Sequence, residues 1–311
     1  MTTTLVTGGG GFIGGHLTDR LLQLGHTVRV LDNFSTGRRD NLRHTLAHIE
    51  LIEGDLRDPD TVRRAMQGAE IVFHEGALPS VPRSVNDPRT TNAVNVEGTL
   101  NVLLAARDAG VRRVVVASSS SVYGDTPTLP KVETMPPQPR SPYAISKLAA
   151  EQYLTVFGRL YGMRTCSLRY FNVFGPRQDP TSQYAGVIAR FCTAALRGQP
   201  YAIQGDGLQS RDFSYIENVV RANLLASTAP DVAGQVFNIA CGERITLLGV
   251  IAILNRLVGR EIPVEHGPAR PGDVRHSLAD IGKAKQLLGY APDIDVAEGL
   301  KRTLAWYREN E

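Results

Sequence analysis

The chain has three cysteines in 311 residues, Cys166, Cys192 and Cys241, far apart and without CxxC or Cys/His spacing. That scarcity excludes a disulfide framework and a structural metal site, and reads as buried thiols in a reducing compartment. No stretch approaches the ~18 continuous apolar residues of a membrane span. The opening MTTTLVTGGG has neither a basic n-region nor a cleavable apolar stretch, so the expected location is cytoplasmic, with no membrane partner. Long basic runs and aromatic-rich basic stripes are absent. With 34 Lys and Arg against 31 Asp and Glu the formal charge is +3, which argues against a nucleic-acid partner. There is no low-complexity linker and no internal repeat.

What is present is a regular alternation. TLVTG, HTVRVLD, HIELIEGD, AEIVFH and VRRVVVASS read as strands, the central ones apolar enough for burial on both faces. Between them FIGGHLTDRLLQLG, PDTVRRAMQG and NAVNVEGTLNVLLAARDAG read as helices closed by glycine. Repeated strand–helix–strand units predict an α/β fold, a doubly wound parallel (Rossmann) sheet. A sixth strand follows in RTCSLRYFNV. After about residue 172 the rhythm loosens into loops carrying Arg, Asp and Gly. The expected division is 1–171 for dinucleotide binding, joined by a returning strand near 235–240, and 172–311 mainly for a smaller α/β substrate domain.

VTGGGGFIGGHL, residues 6–17, places Gly8, Gly11 and Gly14 in a GxxGxxG spacing between a strand and a helix. Such a loop lets the backbone approach a pyrophosphate, and the helix start supplies free N–H groups with about half a positive charge. A tight turn alone also favours glycine. The flanking strand and helix, with Asp32 ending the second strand, favour dinucleotide binding. Asp32 would accept bonds from the adenosine ribose hydroxyls and repel a 2′-phosphate, favouring NAD; Arg38 and Arg39 nearby would soften that preference. Asp55 in EGDLRDP stands either against the adenine amino group or as a cap for the helix beginning at PDTVRRAM.

RSPYAISKLAAEQY, residues 140–153, sets Tyr143 and Lys147 one turn apart at the start of a helix. Alone this is an ordinary helix surface. It follows the fifth strand, however, whose end ASSSSVYGD directs Ser119 and Ser120 to the crevice at the strand C-termini. A tyrosine beside a lysine and a cationic nicotinamide has its pKa lowered from ~10, which favours a base. Tyrosine, lysine and serine together exchange a hydroxyl proton while hydride moves to or from the ring.

GxxGxxG, the serines before VYG and YxxxK, in this order, resemble the extended short-chain dehydrogenase/reductase family over nearly the whole chain. RYFNVFGPRQDP, GDGLQSRDFSYIENV and RPGDVRHSLAD resemble its nucleotide-sugar 4-epimerases. The resemblance implies that Tyr143 takes the O4 proton while hydride leaves C4, and that the 4-keto sugar turns over before both return. NAD then stays bound. The family's dehydratases and decarboxylases carry an acid just before VYG. Here Ser120 and Ser121 stand there, so no general acid is available and the dehydratase reading falls.

The same resemblance implies a cofactor site that also takes in Phe12, Ile13, Asn33, Leu56, Gly76, Ala77, Ser118 and Tyr170. His74 and Asn95 are implied as well, the latter with a plain helix-face amide as its alternative. For the substrate it implies Asn172 on the diphosphate, Arg211 and Arg270 on the phosphates, and Asp273 on the nucleotide ribose. Tyr201 is implied against the uracil, with a strand-edge aromatic as its alternative. Where many UDP-galactose 4-epimerases carry a lysine, ALPSVPRS has Pro79, leaving Ser80, Ser84 and Arg83 as substrate contacts. Ser277 in RHSLAD resembles the family's gatekeeper beside the sugar C2 group. A small residue there leaves volume for an N-acetyl group without excluding a hydroxyl. The expected reaction is therefore UDP-GlcNAc/UDP-GalNAc and UDP-Glc/UDP-Gal interconversion, and SVPRS and VRHS resemble the UDP-N-acetylglucosamine 4-epimerases.

Three rivals stay open. A non-catalytic dinucleotide-binding regulator would typically lose the Tyr/Lys pair. A nucleotide-sugar reductase would release its cofactor. A UDP-glucuronate 4-epimerase needs a cation for the C6 carboxylate, for which Arg83 is available. By resemblance, a homodimer through residues 88–109 and 142–161 is expected.

Overall fold

The computed structural model describes residues 2–180, 186–230, 232–269 and 274–310. Its centre is a seven-stranded parallel sheet formed by β1 (Thr3–Thr7), β2 (Thr27–Asp32), β3 (Ile49–Glu53), β4 (Ile71–His74), β5 (Arg113–Ser119), β6 (Thr165–Tyr170) and the strand Gln235–Ile239. Their order is Gln235–Ile239, β6, β5, β4, β1, β2, β3. The winding reverses between β1 and β4, where a crevice opens at the strand C-termini.

Period-two burial shows why these segments are central strands. Val115 of β5 enters the core on one face, with Leu17, Leu21, Val30 and Phe73, while Val114 and Val116 enter the other, with Leu5, Val62, Met66 and Val102. Helix α1 (Phe12–Gln23) and the helix Ile216–Thr228 cover the first face; Pro59–Met66, Gly98–Asp108 and Pro142–Tyr161 cover the second.

The region after residue 172 is not a separate layer. Gln235–Ile239 pairs in parallel with β6, and Ile216–Thr228 packs on the main sheet. The rest forms small sheets, Tyr201–Gln204 with Val264–Gly267 and Ser210–Arg211 with Ile245–Thr246, over the helices Val187–Arg197, Leu247–Val258 and Val296–Asn310.

NAVNVEGTLNVLLAARDAG, read from sequence as one helix, is interrupted. A wide turn at Ala93–Glu97 separates the short helix Pro88–Asn92 from Gly98–Asp108. Single π turns inside helices are frequent at functional sites. Among the described residues, no helix is long and apolar enough to cross a membrane.

Candidate active site

A cavity of about 940 Å³ runs along the strand ends from Asp32 to Tyr170. That lies at the upper end for one small ligand, and is room for a dinucleotide beside a second molecule. Its dinucleotide end is built by the glycine loop. The Gly11 N–H closes on the Gly8 carbonyl at 3.0 Å, and α1 begins without a side-chain cap, leaving its first N–H groups for a ligand. A Cβ at Gly14 would stand 2.2 Å from the Gly8 oxygen, so the loop can sit this close to the helix only without a side chain. Gly8, Gly11, Phe12, Ile13 and Gly14 line the cavity.

Asp32 ends β2 in the same wall. Its oxygens accept the Gly10 N–H at 2.8 Å and the Phe34 N–H at 2.7 Å, leaving lone pairs for ribose hydroxyls. Burial raises its pKa while these two bonds lower it. Arg39 is committed to Glu53 and to the Phe34 ring, whereas Arg38 faces the cavity. Asn33, Asp55 and Leu56 follow in the lining. Asp55 is not the helix cap; Asp58 is, accepting the Asp60 N–H at 3.0 Å. Asp55 instead accepts three bonds from Arg57, one of them from its backbone N–H, and one from Asn33, and the Arg57 side-chain bonds chiefly hold it down to about 2.

At the other end of the cavity, Ser141 caps the helix Pro142–Tyr161 by accepting the Ala144 N–H at 3.1 Å, with Pro142 in the first turn. That start fixes Tyr143 and Lys147 on the cavity wall beside Ser119 and Ser120. The Lys147 ammonium donates to the Ala117 carbonyl at 2.8 Å, and burial lowers its pKa to about 8. Tyr143 departs from expectation: burial pushes it up to about 12, although a hydrogen bond with Ser119 lowers it. Desolvation outweighs that bond in the protein alone. Ser118 lines the cavity, but its hydroxyl donates to Glu151 beneath.

Gly76, Ala77 and Tyr170 also line the cavity, as do Ser80, Arg83, Asn172, Arg211 and Ser277. Ser80 doubles as the cap of the helix Val81–Asn86, accepting the Arg83 N–H at 3.1 Å. Asn172, at φ 36°, donates to the Asp212 carbonyl at 3.0 Å. Arg270 and Asp273 lie outside the described residues.

Four sequence expectations are corrected by burial. His74 is not a cavity residue: it is enclosed between Thr7 at 2.7 Å and Thr99 at 2.9 Å, and burial holds it neutral, near 3. Asn95, aimed inward by the wide turn, accepts from the Leu78 N–H at 2.8 Å and donates to Ser146, so it positions the cavity loop from behind. Ser84 is fully buried and donates to the Val81 carbonyl. Tyr201 is fully buried, packed edge-on against Phe191 and donating to Asn255 at 3.0 Å, with no face toward the cavity.

The lining also contains Glu75, which the sequence placed only within the cofactor-lining segment His74–Ala77, and residues given no site role from sequence: Ser121, Lys131, Arg140, Arg177 and His276. The Ser121 hydroxyl is buried without a hydrogen-bond partner, an orphan that a bound ligand would satisfy. Glu75, a lone acid in the run FHEGA after a buried strand, was the most readable of these signals.

The geometry fits a nicotinamide dinucleotide, and comparison with known proteins agrees. Residues 4–240 match the NAD dependent epimerase/dehydratase family model. The UDP-glucose 4-epimerase of Mycolicibacterium smegmatis is 42% identical over 98% of both chains. The UDP-N-acetylglucosamine 4-epimerase of Methanobrevibacter ruminantium, in complex with UDP-N-acetylmuramic acid, superposes with a TM-score of 0.95. It is 38% identical and covers 100% of this chain and 99% of its own. The Thermus thermophilus UDP-glucose 4-epimerase complex with NAD gives a TM-score of 0.90 at 38% identity, over 99% of each chain. With its glycine loop, the aspartate ending β2 and the Tyr–Lys helix on one cavity, the chain belongs to the NAD-dependent epimerase/dehydratase family of extended short-chain dehydrogenases/reductases, and NAD is its cofactor.

Proposed function

We propose that this NAD-dependent UDP-sugar 4-epimerase interconverts UDP-GlcNAc with UDP-GalNAc, and UDP-Glc with UDP-Gal in the same pocket. The observation that carries the N-acetyl reading is Ser277, a small half-buried side chain on the cavity wall at the gatekeeper-like position. A hydroxymethyl group there leaves volume beside C2, and a roomy pocket discriminates weakly against the smaller hydroxyl.

Bound NAD supplies a reversible hydride acceptor for C4 and a positive charge. Against that charge and Lys147 the Tyr143 phenol loses the high pKa that burial gives it, and takes the O4 proton. Ser119 holds the phenol oxygen through their mutual hydrogen bond, and Ser120 steadies the substrate oxygen. Asn172, Arg211 and Arg270 grip the diphosphate, with Ser80 and Arg83 at the sugar and Asp273 at the ribose. The same phenol would return the proton once the 4-keto sugar has turned over, so the reaction has no net redox change.

The test is purified protein without added cofactor, given UDP-GalNAc or UDP-Gal, with products separated by chromatography. Both are converted; Ser277→Tyr loses UDP-GalNAc turnover and keeps that of UDP-Gal. A wild-type protein active on UDP-Gal alone sinks the gatekeeper argument and leaves the 4-epimerase mechanism. Activity on UDP-glucuronate alone would transfer the reading to that substrate, with Arg83 at its carboxylate.

A homodimer is part of the same proposal. Ile145, Val156 and Leu160 form an exposed apolar stripe on the helix Pro142–Tyr161, at 56%, 44% and 70% exposure. Leu100 and Leu104 of the neighbouring helix are only half-buried. An exposed apolar stripe of this kind supports that reading.

A further inference from the structure

Glu75 follows β4 directly and faces the active-site cavity. Within the sheet His74 lies beside Val116, so Glu75 stands abreast of Ala117, the residue whose carbonyl accepts from the Lys147 ammonium at 2.8 Å. Tyr170, at the end of β6, reaches past β5 and donates to Glu75 Oε1 at 2.8 Å. The tyrosine oxygen itself accepts from Asn223 Nδ2 at 2.8 Å, which commits its proton to the carboxylate. The Glu75 backbone is pinned as well, its N–H donating to the Thr7 carbonyl at 3.2 Å.

The charges around this site are unequal. Glu151 and Glu75 both act on Lys147. Glu151 is already neutralised, because Arg169 holds both its oxygens. Glu75 has a neutral tyrosine as its hydrogen-bond partner, and the cation acting on it is Lys147. His74 beside it is held neutral between two threonines. Among the described residues Tyr143 also feels its charge directly, in the direction that raises the phenol.

We propose that Glu75 is a positioning residue for the reaction: its carboxylate keeps the Lys147 ammonium charged on the cavity wall, and acts through Lys147 on Tyr143. The proposal rests on the Tyr143–Lys147 mechanism above. The pH ranges agree with it. Burial pushes Glu75 up to about 7 and Lys147 down to about 8, so the carboxylate is ionised over the range in which the ammonium would otherwise be lost.

The experiment is Glu75→Gln, which keeps the acceptor for Tyr170 and removes the charge. The chain has five lysines, so the labelled side-chain resonances of the NAD-bound protein can be followed through pH, with that of Lys147 identified by its absence in Lys147→Met. In Glu75→Gln the Lys147 amine titrates lower by about one pH unit, the shift one nearby opposite charge produces. The alkaline limb of the epimerisation profile moves down with it, while Glu75→Asp restores both toward wild type. Tyr170→Phe, which removes a bond that favours the Glu75 carboxylate, moves both in the same direction by less, and serves if Glu75→Gln does not fold. An unmoved Lys147 titration overturns the proposal. So does a rate that falls equally at every pH, which a packing role would give. A shifted Lys147 in a protein inactive on every UDP-sugar supports the electrostatic role of Glu75 and counts against the epimerase reading.

Discussion

Arg169 and Glu151 lock together under the active site, Nε to Oε1 at 2.8 Å and Nη2 to Oε2 at 2.7 Å, with side chains only 4% and 1% exposed. The same carboxylate accepts from Ser118, and the guanidinium stacks 4.6 Å over the Tyr123 ring. The pair thus ties β6, β5 and the helix carrying Tyr143 into one floor. Arg169→Met, which leaves Glu151 buried without its cation, is expected to destabilise the fold by about 3–5 kcal/mol. Denaturant unfolding measures this, and a change below about 1 kcal/mol would refute a structural role for the pair.

Tyr143→Phe keeps the ring and its packing but removes the exchanging oxygen. Turnover should fall by about 10²–10⁴, the usual size of general acid–base catalysis, while circular dichroism and bound NAD stay at wild-type levels. Retained turnover would exclude Tyr143 as the base.

The wild-type rate should fall as pH rises through about 8. Burial has lowered the Lys147 pKa from 10.5 to that value, so the cation is present below it and lost above it. A rate that holds level to pH 10 would show that the lysine charge is not required.

Gly14→Ala tests the cradle. A methyl group 2.2 Å from the Gly8 oxygen must push the loop off the helix start, so the protein should purify with little bound NAD. Gly25→Ala is the control: its φ of +77° makes it mildly strained, but a Cβ there meets nothing within 4 Å and NAD should be retained. Equal NAD content in both would argue against the loop as the pyrophosphate site.

Leu160→Glu puts a charge in the exposed stripe of the helix Pro142–Tyr161. Sedimentation should show a dimer for wild type and a monomer for the variant at equal concentration. A wild-type monomer removes the dimer from the proposal.

Much of this molecule was legible in one dimension because the deciding interactions are local. Glycine spacing, a capped helix start and alternating apolar strands each depend on neighbours within a few residues. They led directly to Gly8, Gly11, Gly14, Asp32, Tyr143 and Lys147 on one wall. The sixth strand and the returning strand near 235–240 were readable for the same reason.

What went astray depended on distant partners. Tyr201 reads equally well as a ligand-facing or a buried aromatic until Phe191 and Asn255 close over it. Asn95 reads as a cofactor contact until a wide turn aims it at Leu78. The ionisation of Tyr143 and the role of Glu75 are of this kind too, because both are set by burial and by charges that the sheet brings together from residues 75, 143, 147 and 170. Sequence by itself determined the fold class and the cofactor and singled out Tyr143 and Lys147, since local periodicity and spacing specify backbone and motif. Only the tertiary structure decided which polar groups face the cavity and which are sealed behind it, since desolvation and long-range contacts exist only once the chain has folded.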